Sequence, residues 1–161
     1  MKTEFRALAL WGVSALIALQ VVSGFLNVPE WAYGNPASEN GRLATLLLGA
    51  VWIALSAVMG WREVGWFSRF VVFLFGGFAA LSGLLAVLSR AEILGGMGGV
   101  ADQLLLIILF VISAPFYGST PIWPGSEPLE RTAVVLLVFG ATCWIAYGTG
   151  VYCRRLAARP T

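Results

Sequence analysis

The stretch from Arg69 to Arg90, RFVVFLFGGFAALSGLLAVLSR, places twenty uncharged residues between two arginines. A bilayer's hydrocarbon core is about 30 Å thick, which an α-helix crosses in about 20 residues at 1.5 Å each. A charge at its centre costs about 2.5–3.5 kcal/mol. Working outward, the same pattern recurs. The blocks Ala7–Leu26, Leu43–Gly60, Phe70–Ser89, Leu104–Phe116 and Thr132–Tyr152 contain no Lys, Arg, Asp or Glu, and Arg42/Arg62 and Arg131/Arg154 bracket two of them at membrane spacing. The prediction is an all-α integral membrane protein: one domain over residues 1–161, a bundle of five transmembrane helices at about 7–27, 43–61, 67–90, 100–117 and 128–155.

Composition agrees. The chain is 59% hydrophobic and 11% charged, where soluble domains carry about 25% charged residues. Five apolar helices would leave too little polar sequence to cover them in water. Lys2 and Arg6 before an apolar run resemble a secretion leader, but the run reaches Leu26 and is read as the first transmembrane helix.

Five full crossings conflict with the tendency of Lys and Arg to collect on the cytoplasmic side. They would put Lys2, Arg6, Arg62, Arg69 and Arg131 on one face and Arg42, Arg90, Arg154, Arg155 and Arg159 on the other, an even split. The fourth block is the shortest, and runs of about 10–14 apolar residues suit re-entrant segments. Four spans plus a re-entrant helix at about 100–117 would divide the cations seven to three, with both termini cytoplasmic. Both topologies stand at this point.

Within the third block, Arg69, Gly76, Gly83 and Arg90 recur every seven residues. Gly76 with Ala80, and Ala79 with Gly83, form small-xxx-small pairs that let helices approach closely. Gly76, Ala79, Ala80 and Gly83 are therefore the expected packing seam. The glycine run 95–99 lacks the Lys and Ser/Thr of a phosphate loop and reads as a hinge. Pro121-x-x-Pro124, with Trp123 between, reads as an interfacial loop, and Pro128 and Glu130 suit the first turn of the last helix. Cys143 and Cys153 lie ten residues apart on that helix, about 15 Å, too far to bridge.

The chain has no histidine, which removes imidazole haem ligation, the usual zinc and copper sites and the commonest general base. No metal or other cofactor is expected, and no nucleic-acid partner, since no basic stripe with interleaved aromatics exists. No block contains a carboxylate for an intramembrane proton relay. Gln20 is the strongest polar group deep in a block. Weak catalytic candidates gather on one face: Glu30, Glu39 and Arg42 before the second helix, with Arg90, Glu92 and Asp102 after the third. They would suit a lipid headgroup.

These residues lean away from enzymatic chemistry. The leading expectation is an accessory or structural subunit of a membrane complex, or a homo-oligomer, in a cell membrane of bacterial inner-membrane type. Its partners would be membrane lipids and another membrane protein or itself. The alternatives are a small transporter or channel for a neutral or apolar solute, and a membrane-embedded enzyme acting on lipid headgroups.

Overall fold

A computed structural model describes residues 2–33, 35–90, 114–122 and 128–158. The described residues are helical, joined by short turns. Helix α1 covers Lys2–Tyr33, and α2 covers Glu39–Trp61. A third span is built from α3 (Gly65–Val71), a π-helical turn (Val72–Gly76) and α4 (Gly77–Arg90). A 3₁₀ segment covers Ala114–Ile122, and α5 covers Pro128–Ala157. Four of these helices are long and apolar enough to cross a membrane: Ala9–Glu30, Glu39–Trp61, Gly65–Leu88 and Glu130–Ala157. At 1.5 Å per residue, the 23 residues of α2 extend about 35 Å. Phe73 (81% exposed), Trp11 (76%) and Leu46 (68%) turn outward, as apolar side chains do where the solvent is hydrocarbon.

Several helix ends lie beyond their sequence-based positions. Pro29 has no N–H to add to the helical ladder, yet α1 continues to Tyr33. The Asn35 N–H then donates back to Glu30 O at 2.9 Å. Helix α2 starts four residues before the predicted 43, because Ser38 caps it: the hydroxyl accepts from Gly41 N–H at 3.2 Å. At its other end Glu63 N–H donates to Gly60 O and Val64 N–H to Met59 O, with Glu63 left-handed at φ 54°. That is a Schellman closure with glutamate where glycine is usual. Helix α5 begins at Pro128 as expected. Of the predicted helix 100–117, residues 100–113 lie outside the described residues, and the remainder belongs to the 3₁₀ segment.

Contacts fix the direction of each helix. Helix α2 returns antiparallel to α1, with Gly12 near Leu55 and Asn27 beside Gly41. The third span runs back beside α5, pairing Phe67 with Tyr147 and Phe75 with Phe139. Helix α5 runs parallel to α2, since Gly49 meets Phe139 and Arg154 meets Trp61. Residue 90 and residue 128 therefore lie toward the same end of the bundle, as do the start of α1 and the end of α5. One end carries Lys2, Arg6, Arg62, Arg69, Arg154 and Arg155 against Glu4 and Glu63. The other carries Arg42, Arg90 and Arg131 against Glu30, Glu39 and Glu130. The first is the basic end; the second, where the charges balance but three of the five described carboxylates lie, is named the acidic end for contrast.

The core is an aromatic column. Trp52, fully buried, meets Phe75 edge-on at 5.1 Å between centroids, and Phe75 meets Phe139 the same way at 5.2 Å. Phe116 of the 3₁₀ segment joins them, 5.2 Å from Phe139. Such pairs add about 0.5–1.5 kcal/mol each beyond area burial.

Candidate functional site

Polar side chains converge where the acidic ends of α1 and α2 meet the 3₁₀ segment. Proline at 115 has no N–H, and its carbonyl needs donors inside the bundle. Ser23 Oγ donates to it at 3.0 Å, and Thr45 Oγ1 lies 3.1 Å away. Thr45 also reaches Gly41 O at 3.0 Å, and its single proton serves one carbonyl at a time. Asn27, fully buried, donates through Nδ2 to Ser23 O at 3.0 Å and to Thr45 Oγ1 at 3.3 Å. Its Oδ1 has no hydrogen-bond partner and lies against Gly41, where a Cβ would collide with it.

The helices create this node by approaching closely. A Cβ on Gly118 would stand 2.6 Å from Thr45 Oγ1 and 2.8 Å from Gly41 O. Glycine at 41 and at 118 is what lets the 3₁₀ segment dock. Farther out, Tyr117 donates its hydroxyl to Asn35 O at 2.8 Å. Burial pushes the Tyr117 phenol above its ordinary range, the Arg131 charge works against that, and Glu30 adds to it. Glu30 is partly buried, and its Oε2 has no hydrogen-bond partner.

Of the described catalytic candidates, Glu30 faces the node's rim beside Tyr117, and the Arg42 backbone packs against Gly118. Glu39 and Arg42 are exposed on the first turns of α2. Arg90 ends the third span at the same end of the bundle, while Glu92 and Asp102 lie outside the described residues. Gln20 is buried at 7% exposure. Among the described residues no group of three or more His, Cys, Asp or Glu could hold a metal ion. Cys143 is buried and Cys153 exposed, both as free thiols.

The seam residues divide. Ala79 is buried and belongs to a core face through Phe75, Ala79, Ser82 and Ala86, at i, i+4, i+7 and i+11. Gly76 and Gly83 have no described atom within 4 Å of an added Cβ, and Ala80 is exposed. The π turn accounts for part of this. A wider turn between Arg69 and Gly76 shifts everything beyond it by about 90° relative to an uninterrupted α-helix. Among the described residues, a closer helix–helix approach lies elsewhere, between α2 and α5. A Cβ on Gly60 would strike the Tyr147 carbonyl, and one on Gly150 the Ala57 carbonyl.

Sequence reasoning missed Ser23, Asn27 and Thr45, as well as Gly60 and Gly150. A signal existed for the glycines, because Ser56-xxx-Gly60 and Ala146-xxx-Gly150 are small-xxx-small pairs. Asn27 was read only as part of a helix end. No family model, curated protein or solved structure matches this chain.

Proposed function

We propose that this chain is a non-catalytic, multi-pass protein of the cell membrane that works by packing, either as an accessory subunit of a membrane complex or as a homo-oligomer. In this reading α1, α2, the third span and α5 make four crossings. The chain leaves the third span and enters α5 at the acidic end, and the 3₁₀ segment Ala114–Ile122 packs inside the bundle without making a crossing of its own. The parallel course of α2 and α5 supports that topology, since a fifth full crossing would run the last helix parallel to the third span. Seven of the ten cations then share the face of both termini, which the positive-inside tendency makes cytoplasmic.

The observation that carries the packing reading is how the interior polar groups are used. Ser23, Asn27 and Thr45 are turned onto the chain's own carbonyls, so their hydrogen bonds hold the 3₁₀ segment in place. The surface through exposed Ala80 and through Gly83, where an added Cβ would meet open space, is where a partner helix or second copy would seat. The test is gentle solubilisation followed by mass measurement and identification of co-purifying proteins, with wild type and Gly83→Leu. A discrete complex or oligomer is expected, lost in Gly83→Leu while the thermal stability of the monomer is kept. A lone monomer in both would contradict the proposal.

One observation favours a second reading, a small transporter or channel for a neutral solute. Backbone outside an α-helix survives at membrane depth where protein buries it or where it lines a watery path, and Phe116 reaches the mid-bundle aromatic column. Solute flux in reconstituted liposomes, abolished by Asn27→Leu, would favour transport over packing. Loss of a headgroup reaction on replacing Glu30, Glu92 and Asp102 with Ala would favour an enzyme instead.

A further inference from the structure

Between the third span and α5 a groove opens on the bundle's outer surface. Val72, Phe75, Gly76, Leu137, Gly140 and Trp144 line it, and its volume is about 220 Å³. Toward the basic end it continues into a second hollow of about 460 Å³, lined by Ser68, Arg69, Val72, Phe73 and Trp144. Val72 and Trp144 belong to both, so the two form one channel along the surface.

The backbone shapes it. A Cβ at Gly140 would stand 2.7 Å from Phe75 Cβ, so glycine there lets the two helices close behind the groove. Gly76 leaves open space at its inner end. Val72 and Gly76, four residues apart across the π turn, lie on the same side of the helix and both line the groove. The groove thus follows the helix axis.

Its chemistry changes with depth. The inner part is hydrocarbon-walled, and the mouth holds a guanidinium and a hydroxyl. From Arg69 to Gly76 the rise is about 10 Å, roughly two-thirds of the half-thickness of about 15 Å that one leaflet contributes. Arg69 stands at the basic end, and Glu63, the carboxylate nearest to it in sequence, is turned to Arg154 at 3.8 Å.

We propose that this groove seats an anionic glycerophospholipid, with an acyl chain along Val72, Gly76 and Gly140 and the phosphate at Arg69. A planar guanidinium pairs with phosphate oxygens through two parallel hydrogen bonds, and the Arg69 charge favours an anionic headgroup over a zwitterionic one whose own ammonium opposes it. The proposal needs the membrane placement but neither the packing nor the transport reading.

Trp144 is a built-in reporter, 57% exposed at the junction of the two hollows. The full chain is reconstituted in phosphatidylcholine bilayers containing a minor fraction of chain-brominated phosphatidylglycerol, or of chain-brominated phosphatidylcholine. The difference in fluorescence quenching between wild type and Trp144→Phe isolates the Trp144 signal. The brominated anionic lipid should occupy the groove about fivefold more readily at equal mole fraction, the preference one basic side chain provides at an anionic surface. Arg69→Gln should erase the preference and leave zwitterionic quenching unchanged, and Arg69→Lys should keep most of it. Should Trp144→Phe fail to fold, native mass spectrometry of lipids retained by wild type and Arg69→Gln asks the same question. Equal quenching or retention for both headgroups, or a preference that survives Arg69→Gln, would overturn the proposal.

Discussion

The two ends of the bundle are closed by different means. At the basic end, α2 and α5 press backbone against backbone: Gly60 lies on the Tyr147 carbonyl and Gly150 on the Ala57 carbonyl. Arg154 donates to Trp61 O at 3.2 Å and covers the end of α2. At the acidic end, side chains do the joining, as Ser23 and Thr45 hold the Pro115 carbonyl. The contrast follows from what meets at each place. Two regular helices have already paired their backbone groups internally, so only shape is left to match. A 3₁₀ segment against helix ends brings backbone groups that need donors, and hydroxyls and an amide supply them.

The sharpest way to break the comparison is to spoil the shape match. Gly60→Leu or Gly150→Leu forces the helices apart and should cost about 3 kcal/mol, at the upper end of overpacking effects. The measure is loss of thermal stability in detergent. Gly148→Ala, with open space at its Cβ, should change little. If Gly60→Leu melts like wild type, the α2–α5 contact is not what holds the basic end.

A smaller loss is expected at the acidic end. Thr45→Val removes a donor and an acceptor and should cost about 1–2 kcal/mol, in line with buried hydrogen bonds in membrane helices. Its signature should be local: faster proteolysis between residues 90 and 128, with α2 and α5 unaffected. Global melting without local exposure would mean that the node supports the whole bundle. The smallest effect is expected at Arg154, whose ion pair with Glu63 spans 3.8 Å with both side chains 45% exposed. Arg154→Gln should cost under about 1 kcal/mol, and less at high salt.

The four long apolar helices were legible because charges flank the apolar runs: Arg42 and Arg69 stand near the starts of their helices, and Arg62 follows the end of α2. The limits of α1 and α2 were less so. Ser38 and Pro29 sit among turn-forming residues, and only the Gly41 N–H at the Ser38 hydroxyl distinguishes a cap from a loop. The seven-residue stripe from Arg69 assumed an unbroken α-helix, and the π turn at Val72–Gly76 interrupts it between Arg69 and Gly76, while the pairs Gly76–Ala80 and Ala79–Gly83 fall at or beyond its end. Gly60 and Gly150 carried a visible motif. With 19 glycines in the chain, however, such motifs are common, and nothing in one helix names its partner on another. The node at Asn27 depends on three segments meeting, information that no local pattern contains.

The direction of α5 bears on most of what is proposed here, and reporters fused to the two termini test it directly. A fluorescent protein or a phosphatase active only outside the cytoplasm, placed before Met1 and after Thr161, should report both ends on the same side, the cytoplasmic one. Opposite sides would require an odd number of crossings and would contradict the four-span account.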